Sequence, residues 1–219
     1  MYVKPLRSVR GKHQGKACLV VGTGPSAWEV PIPAQGYSIG VNGVGAFFLP
    51  MYLLVSDYLD TTGQHGERAQ AICSTPCECA FTPTQQQFDQ AETVRYSMLP
   101  LHRMDPSTIL AHDALWSSMT STETAIGLAV YMGFTSIGVI GWDLKDHPCE
   151  EHLDRINRDM AVVALYGEQA GIKLWNVSPQ SLITAFPYLD FFQFLECTYV
   201  NRRIKSSPFR NGGNCHKAR

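Results

Sequence analysis

The stretch ACLVVGTGPS, Ala17 to Ser26, sets how the rest of the chain reads. A short apolar run rich in β-branched residues, closed by Gly22, Gly24 and Pro25, is a buried strand entering a tight turn. Two further runs follow the same pattern. Tyr37 to Val41 stops at Asn42 and Gly43, and Met51 to Val55 stops at Ser56 and Asp57. Apolar strands that each end in small or polar residues predict a parallel sheet whose carboxyl-terminal edge carries the functional loops.

The second half supplies the crossovers. TSTETAIGLAVYMGF, from Thr120, pairs Thr120 with Glu123 in a capping-box spacing ahead of an apolar helix that Gly133 closes. SIGVIGWD predicts a strand from Ser136 to Gly141, with Asp143 just past its end. A helix is predicted from about Glu150 to Gln169, with Ile156, Met160, Val163 and Gly167 on one face. IKLWNVSP then adds a strand, and SPQSLITAFPYL reads as a short capped helix. Strand, helix, strand, helix, strand is a βαβαβ unit. Thr61 to Trp116 is the least readable part. Its STPCECAFTPTQQQF predicts one short strand between loops, and any lid or acceptor-recognition insertion is expected there.

Composition narrows the function classes. With 219 residues, 45% hydrophobic and 17% charged, the chain has an ordinary globular interior and needs no disulfide or metal to fold. Eighteen basic against nineteen acidic residues leave a net charge of −1, against a main role in gripping a nucleic-acid backbone. No apolar run reaches the length of a membrane span, and MYVKPLRSVRGKHQGK lacks the apolar core of a secretory signal, so the cytoplasm is the expected compartment. Seven cysteines, an odd and scattered set, read as free thiols. Cys73, Cys77 and Cys79 have a spacing foreign to zinc sites, with only His65 nearby as a fourth ligand, so no metal is expected.

The strand-end residues are the candidates for chemistry. GTGPS lacks both the dinucleotide fingerprint and the P-loop ending, which leaves a glycine turn whose amides can face an anion, or a purely structural turn. Thr120, Ser121 and Thr122 open a helix, where free amides and the positive dipole end suit phosphate; ordinary capping explains them as well. Asn42, Asp57 and Asp143 each follow a strand and so converge on one sheet edge, where they can read a base or ribose. His152 precedes Ile156 by four and is expected in the first helical turn, as a candidate general base. His147 is a weaker candidate.

Taken in order, GTGPS, GVN (Gly40 to Asn42), SD (Ser56, Asp57), TST (Thr120 to Thr122), MGFTSIGVIGWD and GIKLWNVSPQSL resemble the bacterial sialyltransferases of glycosyltransferase family 42 and the related DUF115 and MptE-like group, which includes phage proteins. The likeness spans about two thirds of the chain. It implies an α/β, Rossmann-like three-layer sandwich with a mainly parallel sheet and a nucleotide site. No linker divides the chain, so one nucleotide-binding domain is expected over 1–200, and the basic, Gly-rich residues 201–219 read as a flexible tail. The likeness also implies a CMP-sugar donor, no metal or other cofactor, and inversion at the anomeric carbon with a glycan or other hydroxyl acceptor. Gly22, Thr23, Gly24 and Ser26 then meet phosphate or ribose, with Thr23 in place of the family's usual asparagine. Asn42 and Asp57 face the nucleotide and sugar, Thr120, Ser121 and Thr122 the phosphate, and Asp143 the base or ribose. The family's histidine base falls about two positions from His152. Its phosphate-binding tyrosines are missing between Asp143 and Arg158, where Lys145 offers a positive charge instead. Two other readings stay open: an MptE-like pterin diphosphotransferase using ATP and magnesium held by Asp57 and Asp143, and a nucleotide-binding phage protein without turnover.

Overall fold

The computed structural model describes residues 3–57, 59, 66–84, 88–100, 113–117 and 119–197. Alternation along the strands sets the layers. In the strand that opens the chain's core, Cys18 and Val20 point into one hydrophobic cluster while Leu19 and Val21 point into another on the opposite face. All four are wholly buried. A strand apolar on both faces has to be covered on both, which is why the run ACLVV shows no polar alternation.

The strands are β1 (Lys4–Pro5), β2 (Ala17–Val21), β3 (Ser38–Val41), β4 (Tyr52–Leu54), β5 (Cys79–Thr82), β6 (Glu92–Arg95), β7 (Ser97–Pro100), β8 (Ala114–Ser117), β9 (Ser136–Ile140) and β10 (Lys173–Asn176). Eight form one sheet in the order β1-β6-β5-β4-β3-β2-β9-β10, and every neighbouring pair in it is parallel. The α/β, Rossmann-like sandwich with a parallel sheet is therefore the fold. From β2 the chain builds outward through β3, β4, β5 and β6 in one direction, and β9 and β10 lie on the other side. The order reverses between β2 and β9, and the carboxyl ends of strands at such a point leave a crevice.

The helices are α1 (Gly66–Cys73), α2 (Ser121–Tyr131), α3 (Leu153–Gln169) and α4 (Phe191–Leu195). α2 packs on β2 and β3 and, on its far side, on β8 of the separate parallel pair β7–β8. Covered on both sides, it is buried from Thr122 to Tyr131, which explains an apolar sequence with no polar stripe. Gly127 admits this contact, since a Cβ there would lie 2.8 Å from the buried Trp116 ring. α3 is amphipathic, burying Ile156, Met160, Val163, Tyr166 and Gly167. α4 covers the opposite face, with the Phe194 ring over Gly138 of β9, where a Cβ would lie 2.7 Å away.

The connections from β2 to β3 and from β3 to β4 contain 3-10 turns, Pro25–Ala27 and Asn42–Ala46. Two expectations need correction. The helix expected from Glu150 starts at Leu153, behind a 3-10 turn over Glu150–His152. The short helix expected over SPQSLITAFPYL does not form. Ser178, which opens that stretch, hydrogen-bonds toward Ser26 instead, and Ser181 Oγ donates to the Trp142 carbonyl at 2.6 Å. The capped helix begins after Asp190, whose carboxylate accepts from Phe192 N and Gln193 N. Residues 101–112 and 198–219, which include the expected tail, lie outside the described residues. Among those described, no helix is long and apolar enough to cross a membrane.

Candidate functional site

Two groups of strand-end residues meet at the crevice, and they differ in kind. The first is closed. Past β2, Gly22 N donates to Ile140 O and Gly24 N to Gly141 O, both at 2.8 Å. The two loops approach so closely that a Cβ on Gly22 would collide with the Gly141 carbonyl, and one on Gly24 would lie 2.6 Å from Asp143 Oδ2. These glycines are required by close backbone approach. Ser26 then donates twice to Asp143, from its amide to Oδ2 at 2.8 Å and from its hydroxyl to Oδ1 at 2.6 Å. The Ser178 hydroxyl lies 2.8 Å from Ser26 Oγ, and Gly141 N donates to both serine oxygens, at 3.1 and 3.0 Å. Ser26, Asp143 and Ser178 are all buried. This knot ties the loops after β2, β9 and β10 together.

The second group is open. Asn42 sits in the left-handed region at φ 50°, where asparagine is among the better-tolerated side chains. Its Nδ2 donates to Asp57 Oδ2 and to Ser121 Oγ, both at 3.1 Å, and the Ser56 and Ser121 hydroxyls are hydrogen-bonded. Asn42 Oδ1 is buried with no partner among the described residues. A buried acceptor left unmatched costs about 1–3 kcal/mol, so it marks a place where a ligand donor is stabilising.

The start of α2 holds this group in place. Thr120 and Glu123 form the predicted capping box, with Thr120 N donating to Glu123 Oε2 at 2.6 Å and Glu123 N to Thr120 Oγ1 at 3.4 Å. Met119 N donates to the same carboxylate oxygen at 2.7 Å. Glu123 is wholly buried and its Oε1 has no partner among the described residues. Burial pushes its carboxyl up to about 7, against the pull of the Thr120 and Met119 amides. The cap uses the Glu123 amide, while helix geometry leaves the amides of Ser121 and Thr122 without intrahelical partners.

A strained loop after β9 forms the facing wall. Leu144 and Asp146 adopt φ of 60° and 57°. Leu144 is held there by burial in the core, which turns the adjacent Lys145 to the crevice. His147 lines the crevice too. Its Nδ1 accepts from Cys149 N at 3.0 Å, so in the neutral ring the proton sits on Nε2, which is then a donor.

The resulting cleft measures about 500 Å³. Thr23, Gly24, Asn42 and Asp57 border it, as do Thr120, Ser121, Thr122, Asp143 and Lys145. With His147, ten of the thirteen sequence candidates thus share one cavity. Gly22 and Ser26 lie behind its wall. His152 is not among the lining residues; its Nε2 lies 3.3 Å from Glu151 Oε1, on the turn leading into α3. Sequence reasoning left out Arg68 of α1, which nothing in its local pattern distinguishes, and ranked His147 below His152. Among the described residues, no three His, Cys, Asp or Glu side chains gather as a metal site. Cys73, Cys77 and Cys79 are free thiols, and burial pushes Cys77 up to about 11 and Cys79 up to about 12. His65 lies outside the described residues.

No protein-family model matches the chain, and a search of the curated proteins finds no match. Solved structures do resemble it. One is the MAf glycosyltransferase from Magnetospirillum magneticum AMB-1, with TM-score 0.56 and 15% identity over 85% of this chain; the chain spans only 35% of that protein. Another is the sialyltransferase CstII from Campylobacter jejuni in complex with a substrate analogue, cytidine-5'-monophosphate. It has TM-score 0.50 and 16% identity over 80% of this chain and 85% of the other. At these identities the likeness is one of fold.

Proposed function

We propose that this chain is a glycosyltransferase that moves a sugar from a CMP-sugar donor to a hydroxyl acceptor, inverting the anomeric centre without a metal. The observation that carries the reading is the convergence of Asn42, Asp57, Ser121 and Lys145, from four separate loops, on one cleft at the reversal of strand order. The likeness in fold to a sialyltransferase crystallised with CMP supports it.

The donor phosphate rests at the start of α2, where the amides of Ser121 and Thr122 and the helix dipole favour an anion. Lys145 and the Nε2–H of His147 face it from the other wall. Together they stabilise the charge that grows on the leaving phosphate, the part that tyrosine hydroxyls play in the family the sequence resembles. Asn42 Oδ1 accepts from a ribose or sugar hydroxyl, which satisfies the orphan acceptor. Gly24 allows backbone to approach the phosphate, and Thr23 offers a hydroxyl beside it.

The acceptor proton needs a group in the cleft that is not already tied into the fold. Asp143 is buried with both oxygens held by Ser26, and Nδ1, the ring lone pair of neutral His147, accepts from Cys149 N. Asp57 is exposed at the cleft, its one hydrogen bond among the described residues being from Asn42 to Oδ2, and it is our first candidate for the base. His152 is the second, and reaching the cleft requires it to leave Glu151. The magnesium reading loses ground on the same geometry, because Asp143 is bonded away from Asp57 and the two carboxylates do not form a free pair.

Calorimetric titration with CMP, CDP and ATP, followed by a CMP-sugar hydrolysis assay with and without chelator, tests the proposal. CMP binding that weakens in Asn42→Ala, with chelator-resistant hydrolysis, is the expected result. Binding of ATP that depends on magnesium, with none of CMP, overturns it.

A further inference from the structure

The turn that walls the cleft continues into an exposed aromatic pair. Thr23, Gly24 and Pro25 line the cleft. Three residues on, Trp28 closes the same 3-10 turn, its amide donating to Pro25 O at 2.9 Å. Its indole stacks on Phe47 with ring centroids 4.4 Å apart and planes at 29°, and Nε1 donates to the Thr23 carbonyl at 3.3 Å. Trp28 is nevertheless 61% exposed. One ring face is therefore packed, the orientation is pinned, and the other face is left to solvent. A large apolar ring held rigid at the lip of a polar cleft already has its conformational entropy removed, as a binding platform requires.

The surroundings of the ring indicate what it binds. Glu29, the next residue, accepts from Gln180 Nε2 at 3.1 and 3.4 Å, and both side chains are exposed. A carboxylate and an amide flanking an aromatic face suit a ligand with one apolar face and a polar rim. A pyranose ring has that form, with axial C–H groups on its face and hydroxyls around its edge. An anionic membrane surface calls for basic residues beside the tryptophan, and the neighbour here is acidic.

Resting on the glycosyl-transfer reading, we propose that Trp28, backed by Phe47 and flanked by Glu29 and Gln180, forms a neutral-saccharide subsite that presents the acceptor to the donor cleft. Stacking on an aromatic face of this kind is worth on the order of a tenfold change in affinity.

The test is titration of the full chain with lactose, cellobiose, N-acetyllactosamine and chitobiose. The readout is the indole N–H resonances, with that of Trp28 assigned by its loss in Trp28→Phe. At least one of these sugars is expected to shift the Trp28 signal saturably. Binding should weaken about tenfold in Trp28→Ala and recover in Trp28→Tyr. Leu49→Ser, which removes another exposed apolar side chain, should leave it unchanged. Failure of all four sugars to move the Trp28 signal overturns the proposal. So does equal loss in Leu49→Ser, or a Trp28 response to anionic phospholipid vesicles in place of sugars. Parallel calorimetry with CMP separates this inference from the reading beneath it. CMP binding without saccharide binding ends the subsite alone. Saccharide binding without CMP keeps the platform and ends the transferase reading.

Discussion

The two groups of polar residues at the crevice look alike in sequence and behave oppositely in the fold. Ser26, Asp143 and Ser178 each sit just past a strand, as do Asn42, Ser56 and Asp57. The first set is buried and bonded within itself. The second places Asn42 and Asp57 on the cleft, with Ser56 behind them, and leaves Asn42 Oδ1 without a partner among the described residues; Asp143 borders the same cleft with both oxygens held by Ser26. A small polar residue at a strand end can therefore fasten loops together or face a ligand, and the neighbours it meets decide which. The knot fixes the distance between the loops after β2 and β9.

Substitutions that separate the groups are the sharpest way to break this contrast. The largest expected effect is on catalysis. Asp57→Asn should lower CMP-sugar turnover roughly 10²–10⁴-fold with unchanged thermal stability, while His152→Ala should leave turnover near wild type; steady-state rates of the two variants decide between them. Asp143→Ala is next and acts on stability. It strands the Ser26 amide in a buried site and leaves the Ser26 hydroxyl only Ser178 and Gly141 as partners, for a loss of about 1–3 kcal/mol in urea unfolding. A stable Asp143→Ala variant that fails only to bind CMP would move Asp143 to the open group.

Glu123 gives a pH signature for the helix end that presents Ser121. Burial raises its carboxyl from an ordinary 4.5 to about 7. Between those values the folded chain holds a proton that the unfolded chain has released. The contribution is therefore fully present below pH 4.5 and is lost as pH rises through about 7, to the extent of about 3 kcal/mol. Unfolding free energies measured across that window should fall with pH in the wild type, and the slope should flatten in Glu123→Gln. The smallest expected effect belongs to Ser121→Ala. It removes a single hydroxyl at the cleft, so calorimetry should show CMP affinity reduced roughly tenfold with stability within about 1 kcal/mol of wild type.

Much of this was legible in the residues. ACLVVG and SIGVIG are apolar on both faces, as strands covered on both sides in a parallel sheet are. The Thr120–Glu123 spacing located the start of α2 to the residue. Periodicity failed where long-range contacts override local preference. Ser178 opens a stretch that reads as a capped helix but is drawn to Ser26 across 152 positions. His152 and His147 are separated by five positions, and only the strained turn at Leu144 and Asp146 determines which of them meets the cleft. Arg68 arrives from α1 with no local mark at all.

The sequence by itself determined the central strands β2, β3, β4, β9 and β10, the helices α2 and α3 and the rim on which the candidate residues stand, because burial and capping are encoded by residues adjacent in the chain. Only the tertiary structure decided which rim residues are fastened to one another and which face the cavity. That choice depends on the few ångströms separating loops far apart in the chain, and no local pattern records that distance.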